Sequence, residues 1–183
     1  DNAIKVAYEF YKKHPKETLI VVTADHETGG IALGTGKYAL NLKALENQKA
    51  SAEVLSKKIS DLRKAKNNHV AWEDIKNLLS EEMGFWSVLP ITWEQEKKLR
   101  DEYEKSFVRN KVEFAESMYA KTEPMAAKAK EVMDQIAMVG WTSGGHSAGY
   151  VPVFAIGAGS DLFIGKMDNT EIPKRIAKAG GYK

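Results

Sequence analysis

The chain has 183 residues, 43% of them hydrophobic and 28% charged, and a formal net charge of +2; disordered and collagen-like classes are excluded on composition. Near-neutral charge with no basic block leaves nucleic acid without an electrostatic footprint, and no apolar run approaches the roughly 18 residues of a membrane span. Zero cysteines exclude disulfides and thiolate metal sites.

The chain opens on Asp1-Asn2-Ala3-Ile4 and is helix-patterned at once, which predicts a mature product or a piece of something longer. Ile4, Ala7, Tyr8 and Tyr11 fall at helical spacing, with Lys12 and Lys13 at the end and Pro15 as the stop. Leu19-Ile20-Val21-Val22 is an unbroken β-rich run, the pattern of a strand covered on both faces. It leads into Thr23-Ala24-Asp25-His26-Glu27-Thr28-Gly29-Gly30, where a carboxylate and an imidazole precede a flexible turn. Neighbouring side chains on a strand point to opposite faces, so adjacent ligands converge only where the strand has ended. Asp25 and His26 meet that condition, and their donor types suit zinc. Ile31-Ala32-Leu33 reads as a second short strand.

Residues 47–139 are charged, glycine-poor and helix-patterned, a helical insertion. Leu55, Ile59 and Leu62 mark one amphipathic face, and Trp72, Ile75 and Leu79 a second that Gly84 ends. Thr92-Trp93-Glu94-Gln95 is a capping box with Ile91 as hydrophobic staple, opening a helix expected to carry Leu99, Tyr103, Phe107, Phe114 and Met118 on one side. Thr122, with Pro124 in the first turn, is expected to start another, carrying Met125, Ala129, Val132 and Ile136. Beyond Val139 the α/β character returns. A Gly/Ser/Thr-rich loop, 140–149, holds His146; strands are expected over Val151–Gly157 and Leu162–Ile164; and Asp168-Asn169-Thr170 offers N-caps for a last helix closed by Gly180-Gly181. Three segments follow: an α/β segment over 1–46, the insertion over 47–139, and an α/β segment over 140–183.

Of the four histidines, His14 and His69 sit at a helix end and in an interhelix turn, where solvent exposure is the expected role. His26 and His146 each lie in a glycine-bearing loop at the edge of predicted sheet. His26-Glu27 does not continue as H-E-x-x-H, because Gly30 stands at the second histidine's position, so a zinc protease is disfavoured. Thr142-Ser143-Gly144-Gly145-His146 contains no G-x-S-x-G elbow. Gly34-Thr35-Gly36 and Gly157-Ala158-Gly159 complete neither a dinucleotide fingerprint nor a P-loop.

Val22 to Gly30 resembles the alkaline phosphatase family, as do Trp141-Thr142-Ser143-Gly144-Gly145-His146-Ser147 leading into Val151-Pro152-Val153, and Asp168-Asn169-Thr170-Glu171-Ile172 with Ile176-Ala177. The T-A-D-H core is shared with cofactor-independent phosphoglycerate mutases and nucleotide phosphodiesterases, and Glu27-Thr28-Gly29-Gly30 tilts the choice. The resemblance implies part of an α/β/α sandwich with a large helical insertion, and hydrolysis of phosphate monoesters through a phosphoserine between two zinc ions. By position, Asp25 and His26 would hold the zinc that activates the serine, and His146 the zinc that activates water. Glu27 would orient a ligand.

The family's D-S-A-type nucleophile motif does not occur here. The remaining zinc ligands, the phosphate-clamping arginine and the magnesium ligands belong to upstream segments in that family. The resemblance therefore implies a C-terminal part, inactive alone, whose partner is the N-terminal part of the same protein. It also implies a periplasmic or extracellular parent and is compatible with a homodimer. A related phosphomutase or phosphodiesterase, and a non-enzymatic helical interaction module, remain the alternative readings.

Overall fold

The computed structural model describes residues 1–36, 38–116 and 121–182, with the side chain of Glu116 left out. Helices and strands mix along the chain, as the predicted α/β class requires. The order is α1 (Asn2–Lys13), β1 (Leu19–Val22), β2 (Ile31–Leu33), α2 (Ala52–Ala65), α3 (Trp72–Met83), α4 (Trp93–Tyr103), β3 (Ala115–Glu116), β4 (Lys121–Thr122), α5 (Pro124–Ala137), β5 (Val139–Trp141), β6 (Phe154–Gly157) and α6 (Glu171–Ala179). Two compact units result: Asp1–Thr28 with His146–Lys183, and Gly29–Gly145.

In the first unit, β1 and β6 form an antiparallel ladder, Leu19 opposite Gly157 and Val22 opposite Phe154. The first and last parts of the sequence thus share a sheet, as predicted. Coverage of both faces is not seen: every residue of β1 is half-buried. Among the described residues β1 has one partner strand, and α1 and α6 keep all their side chains at least partly exposed. β6 starts at Phe154 rather than Val151. Pro152 has no N–H for a ladder, and its carbonyl instead accepts from the Thr23 hydroxyl at 3.2 Å. The strand expected at Leu162–Ile164 is a 3₁₀ turn, Ser160–Phe163. Gly159, at φ 76°, turns the chain into it, and three apolar residues are too few to hold a strand without a partner.

The second unit is built around a helical core. Leu55 and Ile59 of α2, Ile75, Leu79 and Met83 of α3, Leu99 of α4, and Met125, Ala129, Val132 and Met133 of α5 are all fully buried. These are the faces that the 3.6-residue period marks. Leu62 and Ile136 pack at the edge of this core. β2 pairs antiparallel with β5, a strand that the Gly/Ser/Thr-rich composition after Val139 concealed.

Two local expectations fail in this unit. α4 passes at Tyr103 into a π-helical turn, Glu104–Val108, and ends there. Asn110 follows at φ 54°, and Phe114 is exposed off the helix; Met118 lies outside the described residues. The second concerns α5, whose N-cap is Glu123 rather than Thr122; its carboxylate accepts from the N–H groups of Met125 and Ala126 at 2.7 and 3.2 Å. A buried Glu outcompetes the usual hydroxyl cap because it also pairs with Arg63 at 2.8 Å.

Candidate metal centre

β1 ends at Val22, and Asp25 and His26 lie in a bend beyond it, free of the alternation that would have sent their side chains apart. The Asp25 carboxylate folds back on its neighbour. One oxygen accepts the His26 backbone N–H at 3.1 Å, and the other stands 3.3 Å from His26 Nε2. Nδ1 of the same ring lies 2.6 Å from the Glu27 carbonyl. A carbonyl only accepts, so Nδ1 carries a proton and Nε2 is the atom available to a ligand. Nε2 and the second carboxylate oxygen then face each other as two neighbouring donor atoms.

A tetrahedral zinc site gives a yardstick for this spacing. Zinc–nitrogen and zinc–oxygen bonds of about 2.0–2.2 Å at a tetrahedral angle put neighbouring donors about 3.4 Å apart, close to the 3.3 Å seen here. A carbonyl holding the far ring nitrogen is the usual way a metal-binding histidine is oriented. The Asp25 side chain is 85% exposed and that of His26 38%, so the donor edge is accessible.

His146 is brought to the same place. Its ring stacks on that of His26, with centroids 3.4 Å apart and planes 24° from parallel. Stacked rings carry their nitrogen donors in neighbouring planes, side by side rather than converging on one point. Among the described residues, no group of three His, Cys, Asp or Glu side chains is placed to hold one ion. Asp25 and His26 offer two neighbouring donors and the ring of His146 stacks beside them; these donor types are ones zinc accepts, but they do not make up the three protein ligands of a catalytic site.

The role of Glu27 is sharper than the sequence suggested. Its carboxylate accepts the backbone N–H of Ser147, the residue after His146. The one signal for this contact was its position next to Asp25-His26. In the second unit, Thr142 donates to the Gly29 carbonyl from its N–H at 2.9 Å and from its hydroxyl at 3.0 Å. Gly29 is buried at φ 119°, and a Cβ there would lie 2.9 Å from the Ser143 carbonyl oxygen, so the predicted need for glycine is met by both conformation and space. His14 and His69 are exposed, as expected; His14 stacks on Phe10 at 4.7 Å.

The family model described as alkaline phosphatase matches residues 1–182. Alkaline phosphatase 3 of Bacillus subtilis (strain 168) is 32% identical over 193 residues, covering 100% of this chain and 34% of that protein. Alkaline phosphatase 4 of the same organism is 28% identical over 179 residues, covering 97% of this chain and 32% of that protein. The crystal structure of a cold-active alkaline phosphatase from the psychrophile Shewanella sp. superposes with a TM-score of 0.67 at 26% identity, over 98% of this chain and 38% of that one. The chain thus spans about a third of the length of the curated relatives it matches. Matched along its length and sharing their fold, the chain belongs to the alkaline phosphatase family.

Proposed function

We propose that these residues form one part of the bimetal centre of a phosphomonoesterase. Asp25 and His26 hold one zinc, and His146 contributes to a second. The observation that carries this reading is the 3.3 Å edge between His26 Nε2 and the Asp25 carboxylate, with Nδ1 tied to the Glu27 carbonyl. Zinc, when bound, supplies Lewis-acid stabilisation of charge on the oxygens of an in-line displacement at phosphorus. Asp25 contributes a negative charge that lowers the net charge of the centre. The neutral imidazoles, one fixed by a carbonyl and stacked on the other, set the direction of the donors.

The seryl nucleophile and the remaining ligands are assigned to a complementary segment of the same protein, because no D-S-A-type motif occurs in these 183 residues. Hydrolysis of phosphate monoesters through a phosphoserine is then a property of the two parts together. Supporting this, Ile4, Tyr8, Ile20, Val22, Phe154 and Ile156 line an apolar groove of about 200 Å³ on the first unit, a surface suited to burial against further chain.

Zinc titration followed by the His26 and His146 ring resonances tests the metal reading. Zinc-induced shifts are expected in the parent chain and are expected to be lost at His26 in Asp25→Ala. Unchanged binding in both Asp25→Ala and His146→Ala would remove it. Turnover of p-nitrophenyl phosphate is expected to be negligible for the 183 residues alone and to rise on adding the complementary segment; substantial turnover by the pure chain would sink the division of labour.

A further inference from the structure

We infer that Glu27 is a positioning residue, a clamp that ties the His146 segment to the end of β1 and so sets how the two histidines meet. The inference rests on the metal reading above and extends it to a residue that is not itself a ligand. Three observations converge. The Glu27 carboxylate accepts the Ser147 N–H, a bond that joins the loop after β1 to the loop before β6. Its backbone carbonyl takes the His26 Nδ1 proton. One residue therefore orients His26 through its main chain and holds the His146 loop through its side chain. The third observation is how closely the side chain packs: a Cβ on Gly149 would lie 3.0 Å from Glu27 Cγ and 3.7 Å from Cδ, so Glu27 lies against this loop with little room to spare.

The physical need is plain. His26 and His146 are held in contact by a ring stack of 3.4 Å, and stacking between imidazoles is weak on its own. His146 and Ser147 lie in irregular backbone with no ladder to fix them. A charge-assisted hydrogen bond from a peptide N–H to a carboxylate, roughly twice as strong as a neutral one, adds a constraint one residue away from the donor ring. Positioning groups of this kind are typically worth about 10–100-fold in metal affinity.

The test uses the full chain, with zinc as the probe and two NMR readouts: zinc affinity from the His26 and His146 ring resonances, and hydrogen exchange of the Ser147 amide. Glu27→Ala is expected to weaken zinc binding about 10–100-fold and to speed exchange at Ser147. Glu27→Gln keeps an acceptor oxygen without the charge and is expected to restore part of both. Gly149→Ala crowds Glu27 Cγ and is expected to speed Ser147 exchange, by less than Glu27→Ala does. Wild-type affinity in Glu27→Ala would overturn the proposal. So would a Glu27→Gln variant as weak as Glu27→Ala, since the charge itself would then be needed, as in a ligand. If the wild-type rings do not respond to zinc at all, the metal reading fails. The clamp is then decided by Ser147 alone: faster exchange in Glu27→Ala upholds it, and unchanged exchange overturns it.

Discussion

Glu123 does two things with one carboxylate. It caps α5 through two backbone N–H groups and neutralises Arg63, whose guanidinium also donates to the Ser106 carbonyl at 3.2 Å and lies 3.5 Å from the centre of the Phe107 ring. The side chains of Glu123 and Arg63 are 1% and 13% exposed, so water cannot replace either partner. Removing one member of such a buried pair costs about 3–5 kcal/mol. Urea unfolding of Glu123→Ala and of Arg63→Met is in each case expected to show a loss in that range, the second because it leaves the Glu123 carboxylate buried without its cation. Glu96 offers a pH handle. The hydrogen bond from Arg100 at 2.9 Å, aided by the Trp86 indole N–H at 3.1 Å, holds its carboxyl below the ordinary 4.5. A depressed folded pKa contributes stability that is present above 4.5 and lost as pH falls through the lower folded value. A carboxyl titration midpoint below 4.5 is therefore expected for Glu96, moving up toward 4.5 in Arg100→Gln. The capping and pairing role of Glu123 was not legible in the sequence. Arg63 and Trp86 lie on other segments of the chain, and periodicity carries no information about such pairings; Glu96 and Arg100, by contrast, are an i, i+4 pair within α4.

Among the elements, α4 shows where pattern and structure agree and where they part. Its start was legible to the residue: Thr92 and Gln95 exchange the two bonds of a capping box at 3.3 and 3.0 Å. Thr92→Ala is expected to cost about 0.5–2 kcal/mol in thermal or urea unfolding. The neighbouring α3 has half of this device, since Asp74 accepts from the Ala71 N–H at 3.0 Å and Ala71 has no side-chain oxygen to return the bond. The end of α4 was not legible. Apolar spacing continues to Phe114, but Tyr103 is tied by its hydroxyl to the Val70 carbonyl at 2.9 Å and stacks on Phe107, and the chain leaves the helix once those two rings are placed. On the face the pattern identified, Leu79 has no exposed surface; Leu79→Ala is expected to destabilise by about 2–5 kcal/mol. β5 was missed for the opposite reason: Val139-Gly140-Trp141 is too short and too glycine-bearing to announce itself, and it exists because β2 pairs with it.

The molecule divides into a unit with a closed core and a unit whose apolar surface is largely open. Gly29–Gly145 holds a continuous core of buried side chains contributed by α2, α3, α4 and α5. In the other unit Ile4, Tyr8, Phe10, Phe154, Ile164 and Ile176 remain exposed, while Phe163 is buried. Local opening free energy follows buried apolar contact. Amide exchange is thus expected to be slowest in α2, α3 and α5 and markedly faster in α1 and α6; equal protection across both units would contradict this picture. Composition, the 3.6-residue period and the motifs around Asp25-His26 and His146 were enough to read the α/β class, the helical core faces and the family, because each is written in residues close together in the chain. The meeting of His26 with His146, the hold of Glu27 on Ser147 and the burial of Glu123 against Arg63 were decided only when distant segments came into contact. Hydrogen bonds and ring stacks act over a few ångströms, and the chain brings those atoms within reach only by folding.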